Sequence, residues 1–283
     1  MKKRLMLMAA VLIVLLGVTA RADVILPAGL TEIGDDAFEN NQSLSGHIEI
    51  PYGVTCIPAY AFANCPNVTS VTIPDSVTTI EQFAFINCKR LTAVTIPASV
   101  EEVGIRAFLG CEALEALTVE GKTCFKTMAM TNTPWLAAQA QAVADAVTHA
   151  GQSDFEKALA LHDWITANSE YDLTFTYYAA ENLFLYHTGV CQAYMEAYTL
   201  MLTAVGIESK EVTGTANGDA HGWNLVKLDG EWYHVDCTWD DPLPDGNENH
   251  EYFCVPDAVM REDHSWNAAD YPAATGTKYY QGR

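Results

Sequence analysis

The strongest constraint on this chain is a repeat. Residues 50–72 read IPYGVTCIPAYAFANCPNVTSVT, residues 73–95 read IPDSVTTIEQFAFINCKRLTAVT, and residues 96–118 read IPASVEEVGIRAFLGCEALEALT. Residues 26–49 are a looser copy with one extra residue. A fixed period of this size means a solenoid. Each unit has a short β-branched stretch such as Ala93-Val94-Thr95-Ile96, an Ile-Pro or Leu-Pro turn, and a patch ending in Ala-Phe. One unit cannot bury its own Ile, Val, Phe and Leu, so units stacked above and below must complete the core. Stacking predicts ladders: Ile57, Ile80 and Val103; Phe62, Phe85 and Phe108; Cys65, Cys88 and Cys111, with Asn41 in the cysteine's place in the first unit. A small, polar-capable side chain at that rung can bond turn backbone between coils.

The segment ahead of the repeats is of another kind. Lys2, Lys3 and Arg4 precede an apolar run over residues 5–19, and Ala20-Arg21-Ala22 places small residues where a signal peptidase reads. This predicts a secretory signal over 1–22, cleaved before Asp23. An uncleaved anchor is the rival reading, and the run is short for a span of about 20 residues. Loss of the four cations in 1–22 takes the formal charge from −21 to −21 − 4 = −25. So acidic a protein repels nucleic acid and anionic membrane surfaces. A secreted, periplasmic or cell-surface location follows, with no stable membrane insertion once the signal is removed. Of the eight cysteines, three belong to the repeat, and the other five (Cys56, Cys124, Cys191, Cys237 and Cys254) define no disulfide connectivity.

The repeat domain is expected over 23–120. Beyond it the period is lost. Residues 121–134 read as a linker, 135–266 as a second domain, and 267–283 as a polar tail. Residues 135–150, rich in Ala and Gln, suit a helix, and Ser153 with Glu156 forms the capping box of another that runs to about Asn168. Residues 189–206, GVCQAYMEAYTLMLTAVG, predict a buried helix with Cys191 near its start and Gly206 just past its end. Unpaired N–H groups and the helix dipole at such a start favour thiolate over thiol. The same N–H groups can cradle the oxyanion of a tetrahedral intermediate.

A hairpin supplies the second chemical signal. Residues 221–228, HGWNLVKL, and 231–236, EWYHVD, flank Asp229-Gly230, a strong two-residue turn. Pairing Leu228 with Glu231 sets Leu225 opposite His234 and Trp223 opposite Asp236. His221 and Asp236 then share one face as diagonal neighbours, and a slip of one residue would separate them. A thiolate at a helix start beside a carboxylate-oriented imidazole forms a nucleophile, a base and an orienter.

Two resemblances sharpen this reading. The repeats resemble the BspA-like leucine-rich repeats of bacterial surface proteins, which implies a binding or adhesion surface; a spacer or lid for the neighbouring domain is the plainer use. The segments GVCQAY, AHGWN and WYHVDCTWDDP resemble the three motifs of the transglutaminase-like core, and FEKALALHDWITANSEYD and YFCVPDAVMREDHSW are similar to it too. That resemblance implies an α+β fold: a solenoid followed by a papain-like domain whose cysteine helix packs on an antiparallel sheet. It implies Cys191, His221 and Asp236 as the catalytic triad, without a metal or organic cofactor. The implied activity is acyl transfer from peptide or side-chain amides through a thioester. A peptidase or amidase acting on protein or peptide substrates is the first expectation, a protein-glutamine transamidase the second, and a non-enzymatic adhesin the third.

Several neighbours carry weaker expectations. Gln192 and His187 are candidate oxyanion or substrate contacts, and Trp223 a shield for the triad face. Asp240, His234, His264 and Trp266 have no assigned chemical role. A zinc site from Cys191, His221, His234 and Cys237 is the competing chemistry, spoiled by the opposite facing of Asp236 and Cys237 along one strand.

Overall fold

The computed structural model describes residues 24–241 and 249–282. The expected signal segment over 1–22 lies outside the described residues. The repeats contribute strands β1 (Val24–Ile25), β2 (Ser45–Glu49), β3 (Cys56–Ile57), β4 (Asn67–Thr72), β5 (Thr79–Ile80), β6 (Ala93–Ile96), β7 (Glu102–Val103), β8 (Ala116–Val119) and β9 (Cys124–Phe125). Among the described residues they form two parallel sheets, ordered β1-β2-β4-β6-β8 and β3-β5-β7-β9. Equivalent positions of successive repeats pair, Val71 with Val94 and Ile80 with Val103. The rings of Phe38, Phe62, Phe85 and Phe108 stack with centroids 5.2 Å apart at each step. The laddered thiols donate to backbone carbonyls of the preceding coil: Cys65 to Phe38 (3.0 Å), Cys88 to Phe62 and Cys111 to Phe85 (both 3.2 Å). In the first coil the Oδ1 of Asn41 instead accepts from the N–H groups of Ser43 and Leu44. All eight cysteines are free thiols.

The second domain begins with α1 (Pro134–Val147), α2 (Asp154–Asn168), β10 (Glu170–Tyr171), α3 (Ala180–Tyr186), β11 (Thr188–Gly189) and α4 (Cys191–Ala204). A sheet follows, built from β12 (Ser209–Ala216), β13 (Asp219–Leu228), β14 (Glu231–Val235) and β15 (Phe253–Val255), then a one-turn α5 (Asp257–Met260) and β16 (His264–Ser265). The sheet order is β15-β14-β13-β12-β16, antiparallel throughout. Ser153 and Glu156 close the reciprocal capping box of α2. Tyr194, Tyr198, Met201 and Leu202 of α4 are buried between α1 and α2 on one side and Val226, Tyr233 and Val235 of the sheet on the other. The molecule is therefore a solenoid followed by an α+β domain with its cysteine helix on an antiparallel sheet.

Residues 121–134 differ from the linker that their lost period suggests. Strand β9 pairs with β7, and Ala129 and Met130 are fully buried. This last coil has no further coil to cover it, and α3 takes that place. The Asn182 carboxamide accepts from the Phe125 N–H (3.0 Å) and donates to the Phe125 carbonyl (2.8 Å). Beside it, Glu181 accepts from the Met130 N–H at 2.6 Å. One side chain thus reproduces both hydrogen bonds that a following strand would make.

Candidate active site

Helix α4 opens at Cys191 because Val190 is extended and ends β11's course into the helix. The preceding Gly189 permits this tight entry: a Cβ there would lie 2.5 Å from the Cβ of Ala193. Strand β10 runs parallel to β11 with Tyr171 opposite Gly189. That pairing brings Tyr171 to Cys191, close enough for the two side chains to influence each other's titration. Burial and the neighbouring sulfur raise the Tyr171 pKa to about 12, so the phenol keeps its proton.

The hairpin register is the one the turn dictates, with Leu228 opposite Glu231, Lys227 opposite Trp232 and Leu225 opposite His234. Asp229 and Gly230 both have positive φ (51° and 86°), as a tight two-residue hairpin turn needs. On the face so defined, His221 Nε2 lies 2.6 Å from Asp236 Oδ2. The ring also lies beside the Cys191 thiol and lowers its pKa, and with Nε2 held by Asp236 the nitrogen left for the sulfur is Nδ1. The structure thus brings Cys191, His221 and Asp236 together in that order.

Asp236 is fully buried and holds more than one imidazole. Its Oδ1 accepts from the N–H groups of Thr238 (3.0 Å) and Trp239 (3.2 Å). Its Oδ2 also meets His264 Nε2 at 3.1 Å, and His264 Nδ1 is 2.6 Å from Asp263 Oδ1. Strand β16 reaches this position by pairing with β12, His264 lying opposite Ala216. Gly214 makes the approach possible, since a side chain there would collide with the Ser265 carbonyl and the Trp223 ring. Burial pushes the Asp236 carboxyl up, but His221 and His264 outweigh it and hold the group well below the usual carboxylate range.

The electrostatics single out one thiol. Burial raises Cys191, but the bond and charge of His221 and the Gly222 N–H leave it below an ordinary thiol. For His221, burial opposes protonation and Asp236 overcomes it, raising the ring to about 10. The other seven cysteines all move the opposite way, chiefly through burial: Cys56 to about 11, Cys111 to about 12, and Cys65, Cys88, Cys124, Cys237 and Cys254 also upward.

The weaker candidates separate. Trp223 is buried, stacks 6.0 Å from the His221 ring at 19°, and donates its indole N–H to His234 Nδ1 at 2.9 Å. His234 holds Asp257 with its other nitrogen (2.9 Å), and burial lowers its pKa, consistent with a neutral structural ring. Gln192 stays beside the cysteine, but its amide donates to Glu196 Oε1 at 2.8 Å. His187, expected as a contact, is corrected: it is the left-handed C-cap of α3 (φ 57°) and lines a separate groove with Ser169 and Tyr186. The four-residue zinc set does not assemble, because Cys237 belongs to the core under α4 while His234 is bonded to Trp223 and Asp257. Trp266 packs edge-on against Trp223 and His234. Sequence reasoning missed Tyr171 and left His264 without a role; both lie in segments that resemble the family, but each reaches the site by strand pairing with a distant segment.

A cleft of about 780 Å³ opens beside His221. Tyr171, Leu173, Phe175, Asp219, Trp239 and Asp241 contribute to its wall. Leu173 and Phe175 are 74 % and 60 % exposed, so this wall is apolar and solvent-facing. All the lining residues come from the second domain.

Comparison with known proteins assigns both halves. Residues 19–134 match the BspA type leucine rich repeat region in six copies, and residues 141–237 match the transglutaminase-like superfamily. The chain is a BspA-type repeat region followed by a transglutaminase-like domain. The transglutaminase-like domain belongs to a superfamily of cysteine-dependent enzymes. The chain is 26 % identical over 137 residues to the kyphoscoliosis peptidase of Mus musculus, covering 40 % of this chain and 21 % of the mouse protein. The chain therefore spans about a fifth of the length of that relative. The chain is also similar to a leucine-rich repeat protein of Bacteroides ovatus (33 % identity, 34 % of this chain and 24 % of that chain, TM-score 0.31). A structure from Cytophaga hutchinsonii, proposed to be a cysteine protease, is 22 % identical over 48 % of this chain and 45 % of its own, with a TM-score of 0.36. Among the described residues, no helix is long and apolar enough to cross a membrane.

Proposed function

We propose that this chain is an exported cysteine hydrolase that cleaves peptide or side-chain amides, with Cys191 as nucleophile, His221 as base and Asp236 as orienter. The observation that carries the reading is geometric: His221 is held 2.6 Å from the fully buried carboxylate of Asp236, beside Cys191 at the start of α4, and this is the one cysteine of the eight whose surroundings push its pKa down.

In this reading the Cys191 thiolate attacks the amide carbonyl carbon while the imidazolium of His221 retains the proton. The oxyanion forms near the first-turn N–H groups of α4 and the Tyr171 hydroxyl, donors already placed around the sulfur. The C–N bond then breaks, His221 gives its proton to the leaving amine, and a thioester remains. Water, deprotonated by His221, attacks the thioester; the C–S bond breaks and the acid is released. Asp236 keeps the ring oriented throughout. The apolar wall of Leu173 and Phe175 suits a bulky side chain beside the reacting amide. The repeats would serve as the contact surface for a protein or cell-surface partner, consistent with a location outside the cell.

An amine can replace water as acceptor with the same triad. The openness of the cleft and the carboxylates of Asp219 and Asp241 in its wall favour a cationic alkylamine, which keeps transamidation as the second reading. The deciding experiment is mass spectrometry of products from a peptide library, with and without an added primary amine. Hydrolysis gives cleaved or deamidated peptides without amine; transamidation gives amine adducts. Cys191→Ala should abolish both while leaving partner binding by the repeats intact. Product formation surviving in Cys191→Ala would sink the reading and leave a binding protein.

A further inference from the structure

At α2, outside the residues that line the cleft, His162, Asp163 and His250 each bring one ligand-type atom within 4.8 Å of the other two. His250 Nε2 lies 2.7 Å and His162 Nδ1 3.2 Å from the same atom, Asp163 Oδ1. We propose that these three side chains form a binding site for a zinc-class divalent cation, which fastens the chain at His250 onto α2.

The donor set supports this choice of metal. Two imidazole nitrogens and one carboxylate oxygen suit zinc better than calcium or magnesium, which take oxygen ligands. Tetrahedral zinc with bonds of about 2.0–2.2 Å sets its ligand atoms roughly 3.3–3.5 Å apart. The observed separations of 2.7 and 3.2 Å are reached from that geometry by shifts of under about 1 Å.

A second observation concerns the orientation of His162. Its side chain is fully buried, and its other nitrogen, Nε2, is held 3.1 Å from Oδ2 of the equally buried Asp240. Asp240 is itself fixed by the backbone N–H of Tyr252 at 2.9 Å. A buried carboxylate on the far nitrogen is how proteins orient a metal-binding imidazole. Here it turns Nδ1 toward Asp163. The Phe253 ring closes the inner side, 4.9 Å from His162. Asp163 and His250 are 35 % and 42 % exposed, which leaves an entry from solvent. The strong net negative charge of the chain raises the local concentration of cations.

The site also touches the framework of the triad without sharing a residue with it. The Asp240 N–H donates to the Asp236 carbonyl at 3.2 Å. A cation bound to His162 therefore secures the turn that follows Asp236, by way of Asp240.

Zinc chloride titrated calorimetrically into the full chain tests this. The parent is Cys191→Ala, which removes the half-buried thiol of lowered pKa as a competing ligand, and His250→Ala or Asp163→Asn is added to it. We expect one tight site per chain in the parent, weakened at least about tenfold by either addition. Zinc should raise the melting temperature of the parent and not of the His250→Ala chain, whose far-UV circular dichroism should match. Cobalt(II) should give ligand-field bands without sulfur-to-metal charge transfer. Zinc affinity unchanged by both substitutions, absence of a tight site, or a thiolate charge-transfer band would each overturn the proposal.

Discussion

His221 meets Asp236 through Nε2, at 2.6 Å, and so presents Nδ1 to the sulfur of Cys191. The carboxylate fixes both the tilt of the ring and which nitrogen carries the mobile proton. Asp236→Asn keeps the shape and reverses the hydrogen-bond donor, favouring the wrong tautomer. Amide turnover should fall roughly 10³- to 10⁴-fold in kcat. A fall of less than about tenfold in steady-state assays would remove Asp236 from the mechanism.

Thiol reactivity should separate the cysteines by pH. Cys191 lies below an ordinary thiol and the other seven above one, so iodoacetamide at pH 7 should label Cys191 well ahead of the rest, read by peptide mass spectrometry. Acidification should slow its labelling as the sulfur regains its proton. Amide turnover should also decline on the alkaline side toward about 10, as His221 loses the proton it must give the leaving amine. These limbs belong to the Cys–His pair as a unit.

Tyr171→Phe removes one hydroxyl from beside Cys191 and keeps the ring's edge-on contact with Phe175 and its tilted contact with Tyr194. If that hydroxyl donates to the oxyanion, kcat should fall about 10²- to 10³-fold with little change in KM. A change confined to KM would instead make Tyr171 part of the substrate wall.

Asn182→Ala should loosen the junction between the two halves. It leaves the N–H and carbonyl of Phe125 unpaired in a buried position. The cost should be about 2–4 kcal/mol in denaturant unfolding, from two unsatisfied groups. An exposed control, Gln141→Ala on α1, should cost under about 0.5 kcal/mol.

Acid should destabilise the fold through Asp236. Its folded pKa is depressed, so its contribution is complete above about pH 4, the unfolded value for Asp, and is lost as pH falls below that. Thermal melts between pH 6 and pH 2 should fall more steeply for the parent than for Asp236→Asn.

Features carried by short-range rules were legible in the sequence. The Phe and Cys ladders follow from the repeat period, the opening of α2 from Ser153 and Glu156, and the meeting of His221 with Asp236 from a two-residue turn that sets cross-strand parity. The start of α4 at Cys191 was legible from the glycines that bracket it. The rest depended on contacts between distant segments. Nothing near His264 says that a two-residue strand will pair with β12 and deliver it to Asp236, and nothing near Tyr171 says that β10 will lie against β11. The coil over 124–130 hid for the same reason, since its outer face is completed by Asn182 and Glu181 from another domain. Local spacing determined the repeat and the hairpin because period and parity act within a few residues. Only the tertiary structure decided what surrounds the sulfur and the buried carboxylate, because strand pairing at long range depends on how the whole chain packs.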